Sequence, residues 1–177
     1  ANILFSQGIS GLILLIYILI TNTSVNFIST AALLAVGAGL FHTIANLSFS
    51  QGLRLGKISL VSPIAAGYSI PLFLAGVFIF GEHLTSIQLS AVILVILSTI
   101  IVSTNLKELI KSQKFILSDP GIPYALLSFL LWPIGYLLIK QAVVQVSWVV
   151  PNLTLFITQV VLIVTYVVIF GKRINLP

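Results

Sequence analysis

KISLVSPIAAGYSIPLFLAGVFIFGEHLTSIQ, residues 57–88, decides the fold: it carries no charge between Ile58 and Phe80, is interrupted by Pro63 and Pro71, and closes on Gly81-Glu82-His83-Leu84-Thr85. A helix in a soluble core does not need so long an apolar run, whereas roughly 20 such residues match a hydrocarbon thickness of about 30 Å. Each proline frees a backbone carbonyl that lipid does not satisfy, so neighbouring helices or a cavity must. The stretch reads as a membrane span built to bend, beside a pathway.

The rest of the 177 residues agree. With 59% hydrophobic and 6% charged residues, too little polar surface is left for a soluble domain, and the chain reads as an integral membrane protein in contact with the lipid bilayer. Transmembrane barrels show segments of about ten residues alternating apolar and polar. No such alternation occurs, so the fold class is all-α, a polytopic helix bundle. The net charge of +5 comes from scattered residues with no basic-aromatic patch, which excludes a nucleic-acid partner. Without cysteine, and with its two histidines far apart, the chain offers neither disulfides nor metal-ligand spacing, and nothing calls for a cofactor. Methionine is absent too; a complete reading frame normally begins with one, so the chain is expected to be a fragment or a trimmed protein.

Apolar runs between polar breaks predict six spans, at 3–20, 30–53, 58–80, 86–104, 121–140 and 151–170. The first is not a signal peptide, having no basic stretch before it and no small-residue cleavage site after Ile20. Short breaks at Thr21-Asn22-Thr23-Ser24, Arg54-Leu55-Gly56-Lys57 and Gly81 to Thr85 make neighbouring helices antiparallel. The longer connection, Asn105 to Pro120, sets Lys107, Lys111 and Lys114 opposite Leu106, Leu109 and Ile110. It reads as a short interfacial helix or as a solvated linker with anchoring lysines. Arg54, Lys57, Lys107, Lys111, Lys114, Lys172 and Arg173 fall on one face and only Lys140 on the other, which puts the first face in the cytoplasm.

Leu4-Phe5-Ser6-Gln7 in the first span resembles Phe156-Ile157-Thr158-Gln159 in the last. The two spans lie five helices apart and cross the membrane in opposite directions, as in the inverted repeats of secondary transporters. On that plan the complete protein has ten helices and about 300 residues.

The passage from Ala45 through Ser103 carries Ala45, Ser50-Gln51-Gly52-Leu53, Ser62-Pro63, Pro71, Gly81-Glu82, Leu84-Thr85 and Gln88. It resembles the drug/metabolite transporter superfamily in its EamA-like branch. The segment Tyr124 to Ala142, with Leu131-Trp132 and Ile139-Lys140-Gln141, is similar to that family's sixth helix. The resemblance implies ten helices in two inverted five-helix repeats around a central cavity. Residues 1–104 would be a first repeat lacking its first helix, 105–120 an inter-repeat loop, and 121–177 the first two helices of the second repeat. Family members generally keep both termini in the cytoplasm, which would place the Lys107–Lys114 loop outside, opposite to the orientation from charge.

Polar residues are costly inside a membrane, so their placement is informative. His42, Asn46 and Ser50 share one helix face, suited to interhelical hydrogen bonds at about 0.6 kcal/mol each or to contact with a proton or substrate. Ala31, Ala35 and Gly39 form a small-residue stripe for close helix packing. Ser128, Trp132, Tyr136 and Lys140 form a polar and aromatic stripe, in which Lys140 ends its span and snorkels to water. Ser62, Pro63, Gly67, Tyr68 and Pro71 mark the bend; Asn152, Gln159 and Tyr166 repeat on the last span near Thr154, Thr158 and Thr165, which can also bond their own backbone. Glu82 favours the start of the following helix.

The expected function is secondary transport of a small organic solute by alternating access, with a small-molecule substrate as partner. The pathway would use His42, Asn46, Ser50, Ser62, Tyr68, Trp132, Tyr136 and Gln159, with kinks at Pro63, Pro71 and Pro133 and the family motif at Gly81, Glu82, Leu84 and Thr85. No acid lies mid-span, so a neutral, zwitterionic or aromatic solute is favoured. An intramembrane enzyme would need positioned acid and base, but Asp119 and Glu108 lie in the loop and Glu82 at a span end; the chain is not expected to be an enzyme. A structural or interaction subunit fits the hydrophobicity but leaves the polar stripes unexplained.

Overall fold

The computed structural model describes residues 2–22, 29–83, 85–103 and 119–170. Leu84, most of the Lys107–Lys114 connection, and Lys172 and Arg173 lie outside the described residues. The helices are α1 (Asn2–Thr21), α2 (Thr30–Leu55), α3 (Ile58–Ala66), α4 (Ser69–Phe78), α5 (Ser86–Ser103), α6 (Ile122–Gln145) and α7 (Val149–Phe170), and no strand occurs among the described residues. Four spans are long and apolar enough to cross a bilayer: Thr30–Leu55, Ile58–Phe78, Ile122–Gln145 and Val149–Ile169, while the apolar part of α1, Phe5–Thr21, is shorter. Outward-facing side chains such as Phe78 and Ile87, 80% and 82% exposed, suit lipid and not water. This is a helical membrane protein.

Local chemistry explains the helix ends. Asn22, at φ 52, closes α1 in the left-handed conformation that asparagine tolerates. The Ser29 hydroxyl caps α2 by accepting from the N–H of Ala32 at 3.2 Å.

The span over 58–80, expected to bend, is two helices, and the break falls between the prolines, not at either one. Pro71 has no N–H for the carbonyl of Gly67, which accepts from Ile70 at 3.0 Å, while Tyr68 donates to Ala65 at 3.1 Å. These tighter turns start a new helix at Ser69. Helix α6 runs through Pro133 and five residues past Lys140, because Gln141 to Gln145 contain no breaker. Lys140 is therefore half-buried within the helix and does not end it.

The chain forms two compact units: Ala1–Ile44 with Ile134–Pro177, called here the terminal unit, and Ala45–Pro133, the central unit. In the terminal unit α1 packs on α7, and in the central unit α3 packs on α5. The core of the terminal unit sets Ala31 and Ala35 of α2 against Ala142 of α6, flanked by Leu34 and Ile139. The core of the central unit joins Val61, Ala65 and Ala125 with Phe49, Leu53, Ile64 and Trp132.

Candidate functional site

In the central unit the notable side chains are used for packing. The Trp132 ring lies 5.4 Å from that of Phe49 and 5.1 Å from that of Tyr68, over the Val61–Ala65–Ala125 core. Ser128, fully buried, donates to Ala45 O at 3.0 Å and to Tyr124 O at 2.9 Å, joining α6 to α2. Asn46, Ser50 and Ser62 are half-buried. Pro63 and Pro71 are half-buried too, whereas Pro133 is buried.

Asp119 lies in the connection before α6, as expected, but it is buried and acts as a cap. Its Oδ1 accepts from the N–H of Gly121 at 2.8 Å and its Oδ2 from the N–H of Lys57 at 3.1 Å. One carboxylate thereby supports the starts of both α6 and α3, where helix dipoles favour negative charge. Three glycines make this possible: a Cβ on Gly121 would stand 2.6 Å from Gly52 O, 2.7 Å from Gly56 Cα and 2.7 Å from Val61 Cγ2. Backbone meets backbone there.

The Gly81–Thr85 motif is likewise helix punctuation. Gly81, at φ 63, ends the α4 segment, and the N–H of Glu82 returns to Gly76 O at 3.1 Å. The Glu82 carboxylate lies back toward Gly76, where an added Cβ would meet its Oε2 at 2.7 Å. The start of α5 is capped by Thr85 and Gln88: Thr85 N–H donates to Gln88 Oε1 at 2.9 Å and Gln88 N–H to Thr85 Oγ1 at 3.3 Å. The expected role of Glu82 at that helix start is thus taken by this pair.

The terminal unit differs. Within it, His42 is 7% exposed, its ring stands edge-on to Tyr136 with centroids 4.5 Å apart, and its Nε2 has no hydrogen-bond partner among the described residues. Gly135 makes the space, since a Cβ there would meet His42 Cδ2 at 2.6 Å. Gln159 is 2% exposed, and its Oε1 and the buried Oε1 of Gln7 have no partner among the described residues. By contrast, the threonines of α7 are satisfied by their own helix: Thr154, Thr158 and Thr165 donate to Val150, Thr154 and Val161, and Asn152 to Trp148. The Ala31–Ala35–Gly39 stripe packs as its residue sizes imply, Gly39 meeting Thr158 and Leu155 of α7.

Helix register brings these groups to one depth. Gly11 faces Phe156, and the rings of Tyr17 and Trp148 lie 5.6 Å apart. Numbers rise on α1 as they fall on α7, so the two are antiparallel, and Gln7, one turn before Gly11, comes level with Gln159, one turn beyond Phe156. On α2 and α6, Ala35 meets Ala142, Gly37 meets Leu138 and His42 meets Gly135, again antiparallel. The short connection between α6 and α7 reverses direction once more, making α2 parallel to α7. Since Gly39 meets Leu155 and Thr158, His42 also stands at the level of Gln159.

No protein-family model, curated protein or solved structure matches the chain. Among the described residues no group of three or more metal-ligating side chains comes together. Of the expected pathway residues, the structure pairs His42 with Tyr136 and Tyr68 with Trp132; Gln159, like a residue absent from the expected site, Gln7, has a buried oxygen with no partner among the described residues. The signal for Gln7 was present in the Leu4–Gln7 and Phe156–Gln159 comparison, whose last letters are these two glutamines.

Proposed function

We propose that the chain is the helical core of a secondary transporter of the drug/metabolite transporter kind. It would carry a small organic metabolite or drug-like solute across the plasma or inner membrane by alternating access. The observation that supports this best is the His42 imidazole: a buried polar nitrogen on a helix able to cross the bilayer, packed between Gly135 and Tyr136 and without a partner among the described residues. Such a group is costly in hydrocarbon unless something else satisfies it, and a transported solute is a partner that comes and goes. The solute that suits this environment is neutral, zwitterionic or aromatic.

Further support comes from the antiparallel α1 and α7, which carry similar tetrapeptides, as two helices related by an axis in the membrane plane would. The six-span, ten-helix plan belongs to the same proposal. The intact protein in liposomes, offered a panel of labelled amino acids and amphipathic drugs, is expected to give saturable flux for at least one of them. That flux should be lost in His42→Leu. No flux for any solute, or flux unaltered by His42→Leu, overturns this reading.

A further inference from the structure

Gln7 and Gln159 belong to a different helix pair from the His42–Tyr136 contact, and nothing assigns them a joint role. Both lie on the faces by which α1 and α7 touch: Gln7 is one turn from Gly11, and Gln159 falls in helix phase between Phe156, which faces Gly11, and Leu155, which faces Gly39. They are level, as the antiparallel register dictates. A direct amide–amide hydrogen bond would use one Oε1 as acceptor, and neither oxygen is so used. Each oxygen therefore lacks a donor among the described residues, and the register sets both at one level of the α1–α7 seam.

We propose that Gln7 and Gln159 form a binding site for a small guest that donates two hydrogen bonds, one to each Oε1: a water molecule, or the hydroxyl or amine end of a solute. An anion or a carbonyl group would present further acceptors and leave both oxygens unsatisfied. The guest is small because α1 and α7 pack directly against one another. Neither amide titrates between about pH 5 and 8.

The test uses the intact protein in lipid bilayers, with glutamine side chains labelled with carbon-13 and nitrogen-15 and the two signals assigned by Gln7→Leu and Gln159→Leu. In the water arm, water-edited solid-state NMR is expected to show transfer from water protons to both buried amides. In the solute arm, glycerol or butylamine in deuterated buffer is expected to shift both signals saturably if a solute is the guest. Each single variant should also shift the other glutamine's signal, since the two share one guest. Transfer or shift at both amides in either arm supports the site. Absence of both effects in the wild-type protein overturns it, as does a direct Gln7–Gln159 amide correlation in place of a guest. Because the decisive spectra are those of the wild type, a variant that fails to fold does not decide the outcome. A transport failure with His42→Leu leaves this site standing.

Discussion

The central and terminal units treat buried polarity in opposite ways. In the central unit the buried serine Ser128 donates to two carbonyls and the buried carboxylate Asp119 accepts from two backbone N–H groups. In the terminal unit Gln7, His42 and Gln159 each carry a buried atom with no partner among the described residues. The difference teaches where stability and binding should separate. Substitutions in the first region should damage the fold, and substitutions in the second should damage function while the fold survives.

The largest effect should come from the glycine contact of the central unit. Gly121→Ala places a Cβ against Gly52 O, Gly56 Cα and Val61, atoms of backbone and core that cannot rotate away. Overpacking of this kind costs about 3 kcal/mol, read as a lower midpoint of unfolding in detergent. Wild-type stability in Gly121→Ala would break the comparison at its strongest point.

Next in size is Asp119→Ala, which leaves the N–H groups of Lys57 and Gly121 without the carboxylate. Loss of a cap and of charge-assisted hydrogen bonds amounts to roughly 2 kcal/mol. Asp119→Asn retains an acceptor and should recover about half of that loss. Equal losses for the two variants would show that the charge, not the hydrogen bonding, holds α3 and α6 at their starts.

These two predictions also mark what was legible in the sequence. Helix positions were readable because apolar length and breakers act locally: the spans begin and end within a few residues of the turn formers at Asn22, Gly56 and Gly81. The bend over Ser62 to Pro71 was readable as well, but not its exact place at Gly67 and Tyr68, which depends on which carbonyl loses its partner to Pro71 and how the chain reroutes that bond. Asp119 read as a loop acid because its partner at Lys57 is distant in sequence. Gln7 went unread for a similar reason. A stripe on one helix shows which face is polar, but not which residue of another helix stands level with it.

A smaller effect, of opposite sign in the two regions, should sharpen the comparison. Ser128→Ala removes the bond from α6 to Ala45 and should cost about 1 kcal/mol. His42→Leu removes an unpartnered polar atom and should cost nothing, or stabilise by about 1 kcal/mol, while solute flux is lost. If both substitutions destabilise equally, the imidazole is structural and the two regions do not differ in kind.

The smallest effect belongs to Thr85, within the motif that first suggested a transporter family. Its hydroxyl and N–H form a reciprocal cap with Gln88 on an exposed helix start, so Thr85→Ala should cost about 0.5 kcal/mol. Thr85→Ser preserves the hydroxyl and should be neutral in the same unfolding measurement. Flux should be unchanged in both, because the Gly81–Thr85 segment ends α4 and starts α5 and contributes no unpartnered buried atom among the described residues. A large loss of flux in Thr85→Ala with normal stability would move the functional region toward this junction, and the motif would then act through more than helix capping.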